Sequence, residues 1–160
     1  MPTSRRLCLD WFRMPTFDPD CTFCEIVRLD DPHVREVYRD EHVVAFFPTE
    51  PAALGHTMVV PREHVPDIWS LSEDTAAHLA RASIRLAAAV RLAVEPEGLN
   101  IIQSNGKVAT QTVFHLHVHL LPRWAEDAVG PIWPMETSYS EAAKDQTLAA
   151  VRRACGELKQ

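Results

Sequence analysis

Between Phe114 and Leu121 the chain reads FHLHVHLL, with a histidine at every second position and a large apolar residue in every gap. Strict alternation over such a run, rich in aromatic and β-branched types, predicts a β-strand with one apolar face and one face of imidazoles. At about 3.3 Å rise per residue, successive histidines among His115, His117 and His119 stand about 6.6 Å apart. That spacing lets the rings share a phosphate-sized ligand or a metal ion. The plainer alternative is a half-buried strand whose polar face happens to be histidine. Imidazole is a poor filler for a strand surface and titrates near neutrality, which makes it an acid, a base, a nucleophile or a metal ligand.

The chain has 160 residues, enough for one domain with a proper core. Its net charge of -6 argues against a nucleic-acid surface, because phosphate backbones are held by clustered Lys and Arg. A single nucleotide could still bind through backbone groups and histidines. No apolar run approaches the length of a membrane span, so no membrane association is expected. The N-terminus lacks the continuous apolar region of a secretory signal, and a cytoplasmic location follows as the default. In that setting four cysteines point to metal binding or free thiols and not to disulfides. Cys8 and Cys155 have no partner pattern.

Residues 1–20 carry Pro2, Pro15 and Pro19 without periodicity and read as a flexible N-terminal arm, with Trp11 and Phe12 available to a neighbour and Met14 an alternative start. Residues 21–160 read as one domain. Cys21 and Cys24 form a C-x2-C pair, which reads as half of a zinc site or as two ordinary cysteines beside a short helix. Val34–Phe47 reads as a hairpin turning at Arg39-Asp40-Glu41, with His42 on the surface. After a loop ending at Gly55, His56–Pro61 is a buried strand with His56 at its mouth, and His64 is either a third metal ligand or an ordinary solvated residue. Ser70 and Glu73 have capping-box spacing before a helix over Thr75–Val94. Its apolar stripe is Leu79, Ala82, Leu86, Ala89, Val90 and Ala93, while His78, Arg81, Arg85 and Arg91 are solvated. Gly98–Ser104 is a strand and Asn105-Gly106 a turn that leads into the histidine strand, which Pro122 and Arg123 stop. Ser138 and Glu141 suggest a second capping box before a terminal helix, Glu141–Leu158. The class is α+β: a mainly antiparallel sheet, a long helix packed on it and a C-terminal helix.

GHTMVVPREH at 55–64, the Asn105-Gly106 turn, QTVFHLHVHLLPR at 111–123 and the early C-x2-C pair together resemble the histidine triad (HIT) superfamily. The resemblance covers roughly residues 21–123. It implies a HIT-like fold, a homodimer, no organic cofactor, and a nucleotide hydrolase or transferase acting at an α-phosphate. Carried over by position, it makes His117 the nucleophile, its remote nitrogen held by the backbone carbonyl of His115. It makes His119 and His56 contacts to the phosphate oxygens, places Gln111 and Thr112 in the phosphate pocket with Thr112 relaying a proton, and sets Ser104 or Asn105 near the α-phosphate. In zinc-containing branches the C-x2-C pair is joined by two histidines, here His64 and His115. That gives a closed, structural Cys21, Cys24, His64, His115 set which would also fix the carbonyl that orients His117.

Two positions depart from the pattern. Pro48 stands where many relatives carry an acid that grips ribose, which leaves either Glu50 as a substitute from a shifted loop or a changed or weakened nucleoside preference, and Thr110 stands where glycine usually precedes the glutamine. His119, at a position where transferase branches carry Gln, favours hydrolysis. The resemblance therefore implies cleavage of a nucleoside phosphoramidate or dinucleoside polyphosphate, with a purine nucleotide or conjugate as substrate, through a nucleotidyl-His117 intermediate. Two alternatives stand beside it: a non-catalytic nucleotide-binding module, and a hydrolase with a catalytic metal on His115, His117 and His119.

Overall fold

The computed structural model describes residues 17–29, 32–134 and 136–158. Trp11, Phe12, Met14 and Cys8 lie outside them. The chain divides into two compact units, meeting in sequence at Val129 and Gly130.

The first unit is built on a five-stranded antiparallel sheet. Its strands are β1 (Glu36–Arg39), β2 (Val43–Phe46), β3 (Thr57–Pro61), β4 (Gly98–Gln103) and β5 (Val118–Arg123), in the order β1-β2-β3-β5-β4. Helix α1 (Thr22–Arg28) precedes the sheet, and α2 (Glu73–Val94) connects β3 to β4. Every residue of β2 and β3 is buried, so these strands read as continuous apolar runs without alternation. The reason is that both faces are covered. Val43, Ala45 and Val59 pack with Leu79, Ala82 and Leu86 of α2, while Val44, Phe46, Met58 and Val60 pack with Phe23, Cys24 and Val27 of α1. Arg39 ties α1 to the edge strand by donating to the carbonyls of Val27 (2.6 Å) and Ile26 (3.2 Å), which α1 leaves open at its C-terminus.

The histidine row enters the sheet later than its alternation predicts. β5 begins at Val118, and residues 113–117 bend outside the ladder. The cause is local competition for backbone groups. The His115 ring takes the Pro61 carbonyl (2.9 Å), and the Leu116 N–H donates to the Val65 carbonyl (2.6 Å). Nor does Pro122 stop the strand, which runs on to Arg123 opposite Gly98. Pairing between β5 and β3 reaches only Leu120, so at Pro122 the strand has a partner on one side alone and its missing N–H faces no ladder.

Both expected caps move by two residues. Ser72, not Ser70, accepts from the Thr75 N–H (3.1 Å), while the Ser70 N–H is held by Asp67 in a 3-10 turn (3.1 Å). On α2 the buried stripe is Leu79, Ala82, Ser83, Leu86 and Val90; Ala89 and Ala93 are exposed. The helix ends where Glu95 turns left-handed (φ 46°). Gly55 (φ +88°) lies so close to the end of α2 that an added Cβ would come within 3.2 Å of Val94.

In the second unit, Ser140 rather than Ser138 caps α3 (Glu141–Glu157), accepting from the Ala143 N–H at 3.2 Å. No residue of α3 is buried. No helix among the described residues is long and apolar enough to cross a membrane.

Thr110 occupies the left-handed region (φ 69°, ψ 16°) at the end of a 3-10 turn over Lys107–Ala109. A β-branched residue there costs about 1–2 kcal/mol against glycine, part of which glycine returns through its freer unfolded chain. Thr110→Gly is expected to raise the melting temperature by about 2 °C, the effect of somewhat under 1 kcal/mol in a domain of this size. An unchanged or lower melting temperature would show that the loop relaxes the strain by other means.

Candidate active site and metal cluster

The three histidines of the row face three different partners. His117 is buried, and its Nδ1 lies 2.7 Å from the backbone carbonyl of His115. A carbonyl only accepts, so Nδ1 carries the proton and Nε2 keeps its lone pair. Burial lowers the basicity of His117, against the opposing effect of that carbonyl, and favours the neutral ring. A neutral imidazole with one nitrogen locked as a donor is a nucleophile ready to attack through the other.

His119 and His56 form a relay of fixed tautomers. The Ala52 N–H donates to His56 Nδ1 (3.2 Å), which leaves the His56 proton on Nε2. That nitrogen lies 2.9 Å from His119 Nδ1 and donates to it, so His119 carries its own proton on Nε2. His119 thereby presents an N–H rather than a lone pair, beside a His117 ring whose centre is 4.8 Å away. An N–H donor next to a nucleophile suits an oxyanion.

Burial, reinforced by His117 and His56, pulls the His119 pKa from 6.5 down to about 4. The unfolded chain takes up this proton near 6.5 and the folded chain only near 4. The stability from a neutral His119 is complete above pH 6.5 and is lost as pH falls through that window. The melting temperature is expected to drop between pH 6.5 and 4, and to drop less steeply in His119→Gln; identical slopes would exclude His119 as the cause.

His115 turns away from the other two rings. Its Nε2–H donates to the Pro61 carbonyl, so Nδ1 offers a lone pair, 3.5 Å from both Cys21 Sγ and Cys24 Sγ. His64 Nδ1 lies 3.3 Å from Cys24 Sγ. The four ligand atoms of Cys21, Cys24, His64 and His115 fall within 4.8 Å of one another. Tetrahedral zinc, with Zn–S about 2.3 Å and Zn–N about 2.0–2.1 Å, sets sulfur and nitrogen about 3.6 Å apart, close to the separations found. The donor set therefore fits a four-coordinate ion with no open position. Burial pushes the Cys24 thiol up to about 11 and pulls His115 down to about 4. These four residues could hold a metal ion, and a positive charge would offset the cost of ionising the buried thiols.

The Phe23 ring stands edge-on to His117 (5.2 Å between centres) and to Phe46 (5.5 Å). Phe23 and Phe46 also wall a cleft of about 340 Å³ with Phe47, Pro48, Thr49 and Met58. The residues lining it include no carboxylate, and Glu50, which is exposed, is not among them.

The HIT domain family matches residues 33–126, more than half of the chain, and the triad lies inside that match. The chain belongs to the HIT family. It is 38% identical over 115 residues to the protein Hit of Bacillus subtilis, covering 71% of this chain and 79% of that one. It is 35% identical over 115 residues to an adenosine 5′-monophosphoramidase of Schizosaccharomyces pombe, covering 71% and 83%. A crystal structure of a zinc-bound histidine triad family protein from Mycobacterium smegmatis superposes with a TM-score of 0.64 at 33% identity, over 84% of this chain and 97% of that one.

Of the other residues expected at this HIT site, Thr112 is exposed and Ser104 is half-buried just after β4. Gln111 is buried and spends its amide on the protein. Its Nε2 donates to the carbonyls of Pro66 (2.7 Å) and Val113 (3.1 Å), and its Oε1 accepts from the Gly106 N–H (2.7 Å). Asn105 Oδ1 accepts from the Ile68 N–H (2.8 Å), and its Nδ2 donates to Gln103 Oε1 (2.6 Å). Both amides brace the loop that carries Thr112. Sequence reasoning did not find Phe23 or the carbonyl of Pro61. For Phe23 a signal existed, an aromatic inside the C-x2-C pair; for a backbone carbonyl none does.

Proposed function

We propose that the chain is a nucleotide hydrolase that cleaves a nucleoside phosphoramidate, or a dinucleoside polyphosphate, at the α-phosphate. The observation that carries this reading is the bond from His117 Nδ1–H to the His115 carbonyl, which leaves Nε2 free to attack. The Nε2 lone pair forms a bond to the α-phosphorus as the bond to the leaving amine or phosphate breaks. Thr112 relays a proton from solvent to that leaving group, its hydroxyl giving up one proton as it takes up another. The His119 N–H, set by His56, stabilises the charge developing on the phosphoryl oxygens. Water then hydrolyses the nucleotidyl-His117 intermediate and restores the neutral ring. The phenylalanine-walled cleft holds the nucleoside, and with no carboxylate in its lining the sugar is selected less strictly than the base.

The metal is zinc, held by Cys21, Cys24, His64 and His115, and its role is structural because the four protein ligands close the site. The active form is a homodimer. β4 lies at a sheet edge and leaves Ile101 61% exposed there, a surface that a second copy would cover. A monomeric mass by light scattering would remove that part of the reading.

The test of the activity is a panel of nucleoside phosphoramidates and dinucleoside polyphosphates, followed by product release and by intact mass after rapid acid quench. A nucleotidyl adduct that maps to His117 is expected. Binding of nucleotides with no turnover across the panel would replace this reading with a non-catalytic binding module.

A further inference from the structure

We infer that Asp18 is an outer partner of the metal cluster, its carboxylate orienting and polarising His64. The inference rests on reading Cys21, Cys24, His64 and His115 as a metal site. Asp18 is joined to that site in three ways, and a fourth contact holds its own side chain. Its carbonyl accepts from the Cys21 N–H (3.2 Å), and its own N–H points at Cys24 Sγ (3.5 Å). One carboxylate oxygen, Oδ1, accepts from the Asp20 N–H (2.9 Å), which closes a tight turn just before the first cysteine. The other, Oδ2, lies 3.8 Å from His64 Nε2.

The orientation of His64 gives the last contact its meaning. Its Nδ1 faces Cys24 and the cluster, so the proton resides on Nε2, the nitrogen turned to Asp18. A ligating histidine commonly donates its remote N–H to a carbonyl or a carboxylate, which fixes the ring and strengthens the ligand nitrogen. Both cluster histidines have such an oxygen opposite. For fully buried His115 it is the neutral carbonyl of Pro61, and for partly exposed His64 it is the charged carboxylate of Asp18. At 3.8 Å the contact is longer than a hydrogen bond and acts through charge. The Asp18 side chain is 43% exposed, so solvent weakens the effect, and its size belongs at the lower end of the range for such partners.

The test uses the full-length zinc-loaded protein and its D18N, D18E and D18A variants, with zinc content measured first and zinc affinity then read by competition with a chromophoric chelator. Asparagine keeps an oxygen for the Asp20 N–H and leaves every backbone contact in place, so a residue that only forms the turn would tolerate it. The expectation is that D18N binds zinc about tenfold more weakly, D18A at least as weakly, and that D18E recovers to within about threefold of wild type. Zinc held as tightly by D18N as by wild type overturns the inference alone. A wild-type chain that contains no zinc and takes none up overturns the metal reading together with it.

Discussion

His117→Ala is expected to lower kcat/KM on any nucleotide substrate of this chain by at least about 10³-fold, the scale on which loss of a nucleophile is felt, or about 4 kcal/mol of barrier. Alanine removes the Nε2 proposed to attack and leaves the cleft walled by Phe23 and Phe46 in place, so substrate binding should change far less than turnover. The comparison with His119→Gln gives the prediction its specificity. Glutamine can still donate a hydrogen bond where His119 Nε2–H did, so that variant should lose less than the roughly 10²-fold that follows outright loss of one donor to a developing oxyanion. It should also still form the covalent adduct. His42→Ala, at an exposed position in the β1–β2 turn, is the control and should stay within about twofold. Full activity in His117→Ala would sink the nucleophile assignment. Equal losses in His117→Ala and His119→Gln, with an adduct in neither, would point instead to a shared role for the row.

How much of this was legible beforehand depended on whether the information sat in side chains or in backbone atoms. The histidine row, the C-x2-C pair and His64 are side-chain patterns, and the structure brings Cys21, Cys24, His64 and His115 to one point. The alternation at 114–121 marked Leu116, Val118 and Leu120 as the residues that pack into one core cluster, but not which strand the backbone pairs with or where the pairing begins. The ladder starts late because the Pro61 and Val65 carbonyls are claimed by the His115 ring and the Leu116 N–H. The caps failed for a related reason. Ser70 and Ser72 are equally good cap residues, and Asp67, three residues before Ser70, decided between them by taking the Ser70 N–H. Thr110 is a clearer case: a place where glycine is usual proved to have φ 69°, so the sequence departure and the backbone strain are the same fact. Asp18 was hidden inside a segment read as an arm, because a Pro-rich stretch without periodicity gives no sign that one of its carboxylates faces a histidine far along the chain.

Removing the metal, or replacing Cys24 with alanine, is expected to lower the melting temperature by about 10 °C. Structural zinc contributes several kcal/mol to folding, and each kcal/mol moves a domain of this length by about 2–4 °C. The size follows from what the cluster joins. Cys21 and Cys24 belong to α1 and the turn before it, His64 follows β3, and His115 precedes β5, so an ion held there would link three segments that otherwise meet through the apolar cluster around Phe46 and Val60. Activity should fall with stability, in kcat more than in KM, because the His115 carbonyl that holds His117 Nδ1 belongs to the residue whose ring a bound metal would fix. Cys155→Ala, which alters an exposed thiol in the second unit, should change neither quantity. The loss of packing around Cys24 is separated from the loss of the ion by a double-mutant cycle with His64→Ala. If both residues act through one metal, the double variant is little worse than Cys24→Ala alone, since the first substitution already abolishes the site. Additive losses would mean that the two side chains stabilise the fold independently, and that the convergence of four ligands is packing rather than coordination.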